Sequence, residues 1–498
     1  MNKYNLLDGV QGFRDYFPED WDKIDFILNN MKFIARRYGY VEYEGPSIEA
    51  TELIEAKSGE GLITEIFTVN NRENRRILLR PEQTPTLARM LAKNQQKYKR
   101  PIRWFSIPRL FRDETVQKGR VKEFWQLNVD CLGDDSMVTD AEIISVAVDI
   151  LRECGLKDDQ FSVLINNRKL LNTFLNSMDG VNSQKIISVI DKKMSYLQDY
   201  AEIQLENSGM TKKDASNEAL KFRRILNSSG EFKNELLESS SELTKSMVND
   251  IVEITKSVVV ASFLQNGLQQ DQANELYKLT SNINEPTVFI DNLKQLSLPP
   301  ESAAIIDEFE ELVIYLKSFG VIDTVIFDAS LARGLDYYTG FVFEVFESSG
   351  QLVRALCGGG RYSDLVESLG GTNLSGVGFG MGDLALLETM KILGLDKSLD
   401  QNKPEIYIAP IKKEPIPMII ELAARLRKNF SVMCNPFTWK LNRHFDTADT
   451  MGTKIVILMG PKDLANNMVS IRKLATEEKY ELQINESLED EVRKILGE

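Results

Sequence analysis

Apolar residues recur every three to four positions from residue 18 to residue 38, where Trp21, Ile24, Leu28, Met31, Ile34 and Tyr38 share one face. That period predicts a long amphipathic helix. Pro18 suits its first turn, where no backbone donor is needed, and Gly39 suits its exit. The pattern then shortens to period two. YVEYEGP (40–46) alternates as a strand running into Pro46, and RRILLRP (75–81) reads as a buried strand. RWFSIPRLFR (103–112) and FWQLNVDCLG (124–133) read as two strands around a charged loop from Asp113 to Lys122.

Between residues 171 and 310 the chain holds four glycines and many Leu, Ile, Lys and Glu residues at helical spacing, which predicts an inserted helical domain. Strand patterning returns in VIDTVIFDASLARGLDYYTGFVFEVFE (321–347), and CGGGRYSDL and SGVGFGMGDL follow as glycine-rich turns. LDKSLDQNKP (395–404) is polar, ends in proline and reads as a linker. In the last segment IYIAP, KIVILMG, MVSIRKL and KYELQI are predicted strands and IPMIIELAARLRKN a helix, a small α/β domain of about 95 residues. The expected divisions are 1–170, 171–320, 321–395 and 404–498, in agreement with the roughly three domains that 498 residues suggest.

Composition narrows the chemistry. Apolar residues are 43% and charged residues 27% of the chain, the balance of a globular protein. No stretch reaches the roughly 20 apolar residues of a bilayer span, and the charged start lacks a signal-peptide core, so a cytoplasmic protein without membrane contact is expected. Four scattered cysteines offer neither a disulfide framework nor a thiolate zinc site. A single histidine, His444, nearly excludes Ser-His-Asp and Cys-His triads and His-rich metal centres. His444 is expected on the surface of the tail or in contact with RNA. The net charge of −14 speaks against a general nucleic-acid coat. Lys97–Lys122 nevertheless carries nine Lys or Arg against two acids, and Pro404–Glu498 is neutral with 14 of each sign. A polyanion can approach either region.

Three clusters could carry chemistry. In FRDETVQKGRVKEFWQ, Arg112 and Arg120 on a hairpin can converge on one phosphate, with Glu114 as an acceptor and Phe124 as a face for a base. A solvated charged hairpin is the rival reading. In LRPEQT, Glu82 and Thr84 at a strand end could hold an ammonium group, or Glu82 could cap the following helix. In RGLDYYTG, Arg333, Tyr337 and Tyr338 sit between glycines before an apolar strand; two core tyrosines and a surface arginine would give the same pattern. The glycine runs 358–362 and 376–382 fit neither a P-loop nor a dinucleotide fingerprint.

In this order the motifs resemble those of the histidyl-tRNA synthetases, a class II aminoacyl-tRNA synthetase family, over nearly the whole chain. DGVQGFRDYFPED is similar to the amino-terminal signature, YEGPSIEATEL with Pro46 to class II motif 1, and FRDETVQKGRVKEFWQLNVD to motif 2. LARGLDYYTGFVFE and CGGGRYSDL resemble the two histidine-specific motifs, and the tail resembles the anticodon-binding domain. The resemblance implies an α/β (α+β) protein: an antiparallel-sheet catalytic domain, a helical insertion and a C-terminal α/β anticodon-binding domain, assembled as a homodimer. It implies ATP-dependent ligation of histidine to tRNA(His) through histidyl-adenylate, with Mg2+ accompanying ATP and no metal ligands assigned. Arg112 and Arg333 would flank the α-phosphate as catalytic residues. Glu114 would accept the adenine amino group, Arg120 would hold the outer phosphates, and Phe124 would cover the adenine face. Histidine would be bound by Glu82, Thr84, Gln126, Asp130, Arg333, Tyr337, Tyr338 and Tyr362. Many members carry glutamate at Asp130.

One departure stands out: GFGMGDLALLETM has Leu384 and Ala385 where many members carry the motif 3 arginine, so no such arginine is assigned. A rival function on the same fold is the non-catalytic, histidine-sensing regulatory subunit of ATP phosphoribosyltransferase. Such subunits usually lack the tail and degrade the ATP-binding arginines, and this chain has both.

Overall fold

The computed structural model describes residues 9–55, 65–115, 119–178, 180–212, 214–215, 218–219, 242–331, 337–352, 354–363, 365–398 and 403–497. Arg333 to Asp336, and Gln117 and Lys118 of the charged loop, lie outside the described residues. The chain divides into two compact units, Met1–Ser398 and Leu399–Glu498.

The first unit is built on a sheet whose strands run in the order Val41–Glu42, Ile102–Ser106, Glu123–Leu132, Gly376–Gly382, Cys357–Tyr362, Tyr338–Glu347, Phe161–Asn167, Val325–Asp328 and Ile283–Asn284. The six strands from Ile102–Ser106 to Phe161–Asn167 pair antiparallel throughout. Along Glu123–Leu132 the side chains alternate. Leu127, Val129 and Cys131 are fully buried, while Phe124, Gln126, Asn128 and Asp130 share the opposite face. In the Cys357–Tyr362 strand, Arg361 turns to the helix Met137–Glu153, where it donates to both oxygens of the buried Asp140. Its neighbour Tyr362 therefore faces the other way. That second face carries a row of polar side chains.

The glycine-rich segments expected as turns are the two central strands of this sheet. Gly376–Gly382 lies between Glu123–Leu132 and Cys357–Tyr362, with Gly378 opposite Asp130 and Gly382 opposite Gln126. Its apolar residues Val377, Phe379 and Met381 are buried, and the glycines alternate with them. A glycine weakens a strand. Here it leaves room for large polar side chains arriving from both neighbouring strands.

Other expectations shift less. The first helix runs Pro18–Arg37 and buries Ile24, Ile27, Leu28, Met31, Ile34 and Ala35. RWFSIPRLFR is broken by Ile107 and Pro108 into Ile102–Ser106 and Arg109–Phe111, as a proline without an N–H donor requires. YVEYEGP contributes only Val41–Glu42. RRILLRP is the middle strand, Arg76–Leu79, of a separate three-stranded sheet, and only Leu78 in it is buried. The described residues of the range 171–320 are mostly helical, with long helices at Ser183–Asn207 and Glu242–Gln265. It also supplies the edge strand Ile283–Asn284 and the helices Pro286–Gln295 and Ser302–Ser318. Phe289 and Phe309 of those helices pack on Phe327 and Phe341 of the sheet at centroid distances of 4.9–5.4 Å, contacts worth roughly 0.5–1.5 kcal/mol each beyond area burial.

The tail unit has a five-stranded sheet in the order Val432–Cys434, Ile406–Pro410, Ile455–Met459, Met468–Lys473 and Lys479–Gln483. Its first three strands are parallel. His444, expected on the surface, is fully buried on the helix Leu441–Thr450. Its Nε2 donates to the Pro410 carbonyl at 3.1 Å, and its Nδ1 accepts from the Tyr407 hydroxyl at 2.9 Å. Burial pushes its pKa below the usual imidazole value. Both ring nitrogens are used within the tail, so His444 is a structural residue.

Candidate active site

The candidate cleft begins at Asp130. Its Oδ1 accepts the Tyr362 hydroxyl at 2.8 Å, and both side chains are buried. Burial pushes the carboxyl up to about 7, and the Tyr362 hydrogen bond pulls it back. The Tyr362 phenol is raised in turn by burial and then by Asp130. Glycines make this pair possible. A Cβ on Gly378 would stand 2.2 Å from Asp130 Oδ1, one on Gly376 would stand 2.7 Å from the Tyr362 ring, and one on Gly380 would stand 2.5 Å from Gln126 Nε2. Gln126 donates to Asn128 Oδ1 at 2.8 Å, and Asn128 returns a bond to the Gln126 carbonyl at 3.0 Å. Asn128 escaped the sequence reading, although period two from Gln126 and Asp130 places it on the same face.

Glu82 and Thr84 meet the tyrosines from the side. The helix Thr84–Asn94 begins at the N-cap Gln83, whose side chain makes no capping bond. The helix is anchored instead through the buried Glu49, which accepts from Thr86 at 3.0 Å and Arg89 at 2.7 Å. Glu82 is buried and raises the phenols of Tyr337 and Tyr338, after burial itself and, for each, a stronger neighbour (Tyr338 for Tyr337, Asp130 for Tyr338). Thr84 hydrogen-bonds Tyr337. The Tyr337 ring is 4.9 Å from that of Tyr338 and 5.8 Å from that of Tyr362. Tyr43 joins the cluster, and its phenol is raised by burial and then by Asp130. Sequence gave no signal for it, since strand and core tyrosines look alike.

At the other end of the cleft guanidinium groups replace carboxylates. Arg112 donates from Nε to the Pro81 carbonyl at 3.0 Å, and its guanidinium lies 5.4 Å from the Phe124 ring centroid. Arg120 Nη1 stands 2.8 Å from Glu114 Oε2. Glu114 is only 6% exposed, and its Oε1 has no hydrogen-bond partner among the described residues. A buried lone acceptor of this kind costs about 1–3 kcal/mol until a donor arrives. Phe124 packs with Leu110, Val121 and Leu384. Leu384 and Ala385 are buried on the helix Asp383–Ile392, which bears no arginine. The hairpin is therefore not a merely solvated one: one end of the cleft offers acceptors and phenols to a nitrogen-bearing ligand, the other offers cations and one acceptor to a phosphate-bearing base. Thus Glu82, Thr84, Asp130, Tyr337, Tyr338 and Tyr362 come together, with Gln126 on the strand face of Asp130, and Arg112, Glu114, Arg120 and Phe124 gather separately; Arg333 lies outside the described residues.

The sheet and its flanking helices have the fold of a class II aminoacyl-tRNA synthetase. A histidyl-tRNA synthetase structure from Nostoc sp. superposes with a TM-score of 0.74 at 20% identity over 98% of this chain and 99% of that one. A structure from Bacillus halodurans C, titled as an ATP phosphoribosyltransferase regulatory subunit/histidyl-tRNA synthetase, gives 0.66 at 21% identity over 92% and 100%. In sequence, residues 12–258 and 234–385 match the histidyl-tRNA synthetase family and residues 405–494 an anticodon-binding domain. A histidine–tRNA ligase from Leptospira biflexa is 31% identical over 97% of this chain and 96% of its own length. One from Pyrococcus horikoshii is 28% identical over 99% and 100%. The chain belongs to the histidyl-tRNA synthetase family.

Proposed function

We infer that this chain joins histidine to tRNA(His) in two steps, with ATP as the activating substrate. A histidine carboxylate oxygen attacks the ATP α-phosphorus, the bond to the bridging oxygen of the β-phosphate breaks, and pyrophosphate leaves. The 3′-hydroxyl of the terminal tRNA adenosine then attacks the acyl carbon, AMP leaves, and the hydroxyl proton passes to an adenylate phosphate oxygen. No protein imidazole is needed, in keeping with a chain whose one histidine is committed to the tail core.

The observation that carries this reading is the buried Asp130–Tyr362 pair, framed by Gly376 and Gly378 at the acidic end of a cleft whose other end is cationic. Asp130 would take an imidazole N–H, while Glu82, Thr84 and Gln126 hold the α-amino end and Tyr337 and Tyr338 close the pocket. Arg112 would neutralise the α-phosphate as charge develops there, with Arg333 proposed opposite it on sequence grounds alone. Glu114 Oε1 would accept the adenine amino group over Phe124, and Arg120 would turn to the outer phosphates. Positioned charges of this kind are worth several kcal/mol in a dry site. Among the described residues no group of three or more carboxylate, thiol or imidazole side chains is placed to hold a metal ion. Mg2+ is assigned to ATP itself, arriving on its phosphates as part of the substrate.

The division of the first unit into 1–170, 171–320 and 321–395, with 404–498 as the tRNA reader, belongs to the same proposal. In the tail, Phe437 and Trp439 are 86% and 49% exposed beside Lys440, and aromatic faces next to cations suit unpaired bases. A homodimer is proposed through the region around Pro46, where Val41 and Ile48 stand 63% and 49% exposed. No described helix is long and apolar enough to cross a membrane; a cytoplasmic location is proposed with the activity. The test is histidine-dependent ATP–pyrophosphate exchange by the purified chain, with all twenty amino acids compared. Preference for another amino acid overturns the histidine assignment, and no exchange with any of them favours the histidine-sensing regulator.

A further inference from the structure

The connection between the strands Tyr338–Glu347 and Cys357–Tyr362 is shaped by Glu347. Its buried carboxylate accepts the backbone N–H of Ser349 at 2.7 Å and that of Leu352 at 3.0 Å. Bonds to an ionised acceptor are about twice as strong as neutral ones, so this turn is pinned. Leu352 is itself buried, and its Cδ1 lies 3.4 Å from where a Cβ on Gly119 would stand. Two positions on, Arg354 donates from Nη1 to the Gly119 carbonyl at 3.0 Å. Gly119 directly precedes Arg120, the residue that pairs with Glu114.

Arg354 thus reaches the cationic end of the cleft from a different strand pair. Among the described residues its one hydrogen bond goes to a carbonyl, and no carboxylate stands within ion-pair distance, although a guanidinium carries five N–H donors. Burial pushes its pKa below the ordinary arginine value; Glu114 opposes this, and Arg120 and Arg112 add to it. Three guanidinium groups therefore gather around the buried Glu114, and Glu65 is a second, weaker carboxylate influence on Arg354. Like charges around a half-buried arginine are unfavourable until an anion of high charge enters. Planar forks suit phosphate oxygens better than water.

We propose that Arg354 binds the outer phosphates of ATP and, with Arg120, holds the departing pyrophosphate. The assignment rests on the ATP-dependent reading of the cleft and adds to it a residue that no sequence motif indicated. Arg112 is tied through Pro81 to the histidine end, whereas Arg354 is tied through Gly119 to the Arg120 side, which places it at the tail of the triphosphate rather than at the α-phosphorus.

The experiment uses the full-length chain with Arg354→Gln and Arg354→Lys. Calorimetry follows binding of ATP, of inorganic pyrophosphate alone, and of a non-hydrolysable histidyl-adenylate analogue that lacks the outer phosphates; exchange kinetics are measured alongside. In Arg354→Gln the KM for ATP and the Kd for pyrophosphate should rise about 10–100-fold, the loss of one charged hydrogen-bond donor pair. The analogue and the KM for histidine should stay within about twofold, and lysine should recover part of the loss. Equal losses for ATP and analogue would show an arginine that supports the fold or the adenosine pocket, and unchanged pyrophosphate binding would show a bystander; either overturns the proposal. Should the glutamine variant melt early, the lysine variant carries the same ATP-to-analogue comparison. A wild-type chain that binds pyrophosphate through Arg354 yet exchanges nothing with histidine would sink the ligase reading and leave the clamp standing.

Discussion

The Tyr362 hydroxyl donates to Asp130 across the intervening strand Gly376–Gly382, 2.8 Å apart and 232 residues apart in sequence. Because the carboxyl is pushed up to about 7, it exchanges its proton near neutral pH. The histidine KM should fall as pH rises through about 7, since only the carboxylate accepts an imidazole N–H well. Asp130→Asn should remove that limb and raise the KM roughly 10²-fold, the cost of a charged partner. Tyr362→Phe deletes a bond that lowers the Asp130 pKa, so its limb should move to higher pH. KM–pH profiles of the three proteins decide this, and identical limbs in wild type and Asp130→Asn would remove Asp130 from the histidine site. For stability the sign is opposite: a raised acid is least costly below its unfolded value and becomes destabilising as pH climbs toward about 7.

Gly378→Ala places a methyl 2.2 Å from Asp130 Oδ1 and 2.6 Å from the Val129 carbonyl. The carbonyl is backbone in a central strand and cannot move away, so the strand or the acid must shift. Overpacking of this kind costs about 1–3 kcal/mol. Histidine exchange should drop at least 10²-fold with circular dichroism preserved, whereas full activity would show that the Asp130 position is not critical.

Glu114→Gln keeps the shape but converts an acceptor-only group into one with donors. The KM for ATP should rise about tenfold, and the preference for ATP over GTP should narrow, because guanine offers a carbonyl where adenine offers an amine. Competition between the two nucleotides in the exchange reaction reads this out, and an unchanged preference would place the base elsewhere.

Ending the chain at Ser398, the limit of the first unit, should leave histidine-dependent exchange largely intact and abolish tRNA charging. In the full chain Trp439→Ala should raise the KM for tRNA by roughly 5–150-fold, the range for one lost stacking contact, without altering exchange. Undiminished charging by the truncated chain would mean that the tail does not read the tRNA.

Local order in this protein was legible because it rests on neighbours in sequence. Period 3.6 located the helix Pro18–Arg37, and strand patterning located Glu123–Leu132, while Gln126 and Asp130 were named through the family resemblance. The chemistry-bearing motifs also lay within short segments, which is why Arg112, Glu114, Arg120 and Phe124 were found together. What only the tertiary structure decided depends on pairing between distant strands. Glycine runs that read as turns became central strands; in Gly376–Gly382 this is because Asp130, Tyr362 and Gln126 occupy the space the missing side chains vacate. His444, polar by composition, was drawn into the tail core because Tyr407 and Pro410 satisfy both its nitrogens. Arg354 carries no motif of its own; its place beside Arg120 is set by the Glu347-pinned turn and the Gly119 carbonyl, two contacts that no periodicity along the chain encodes.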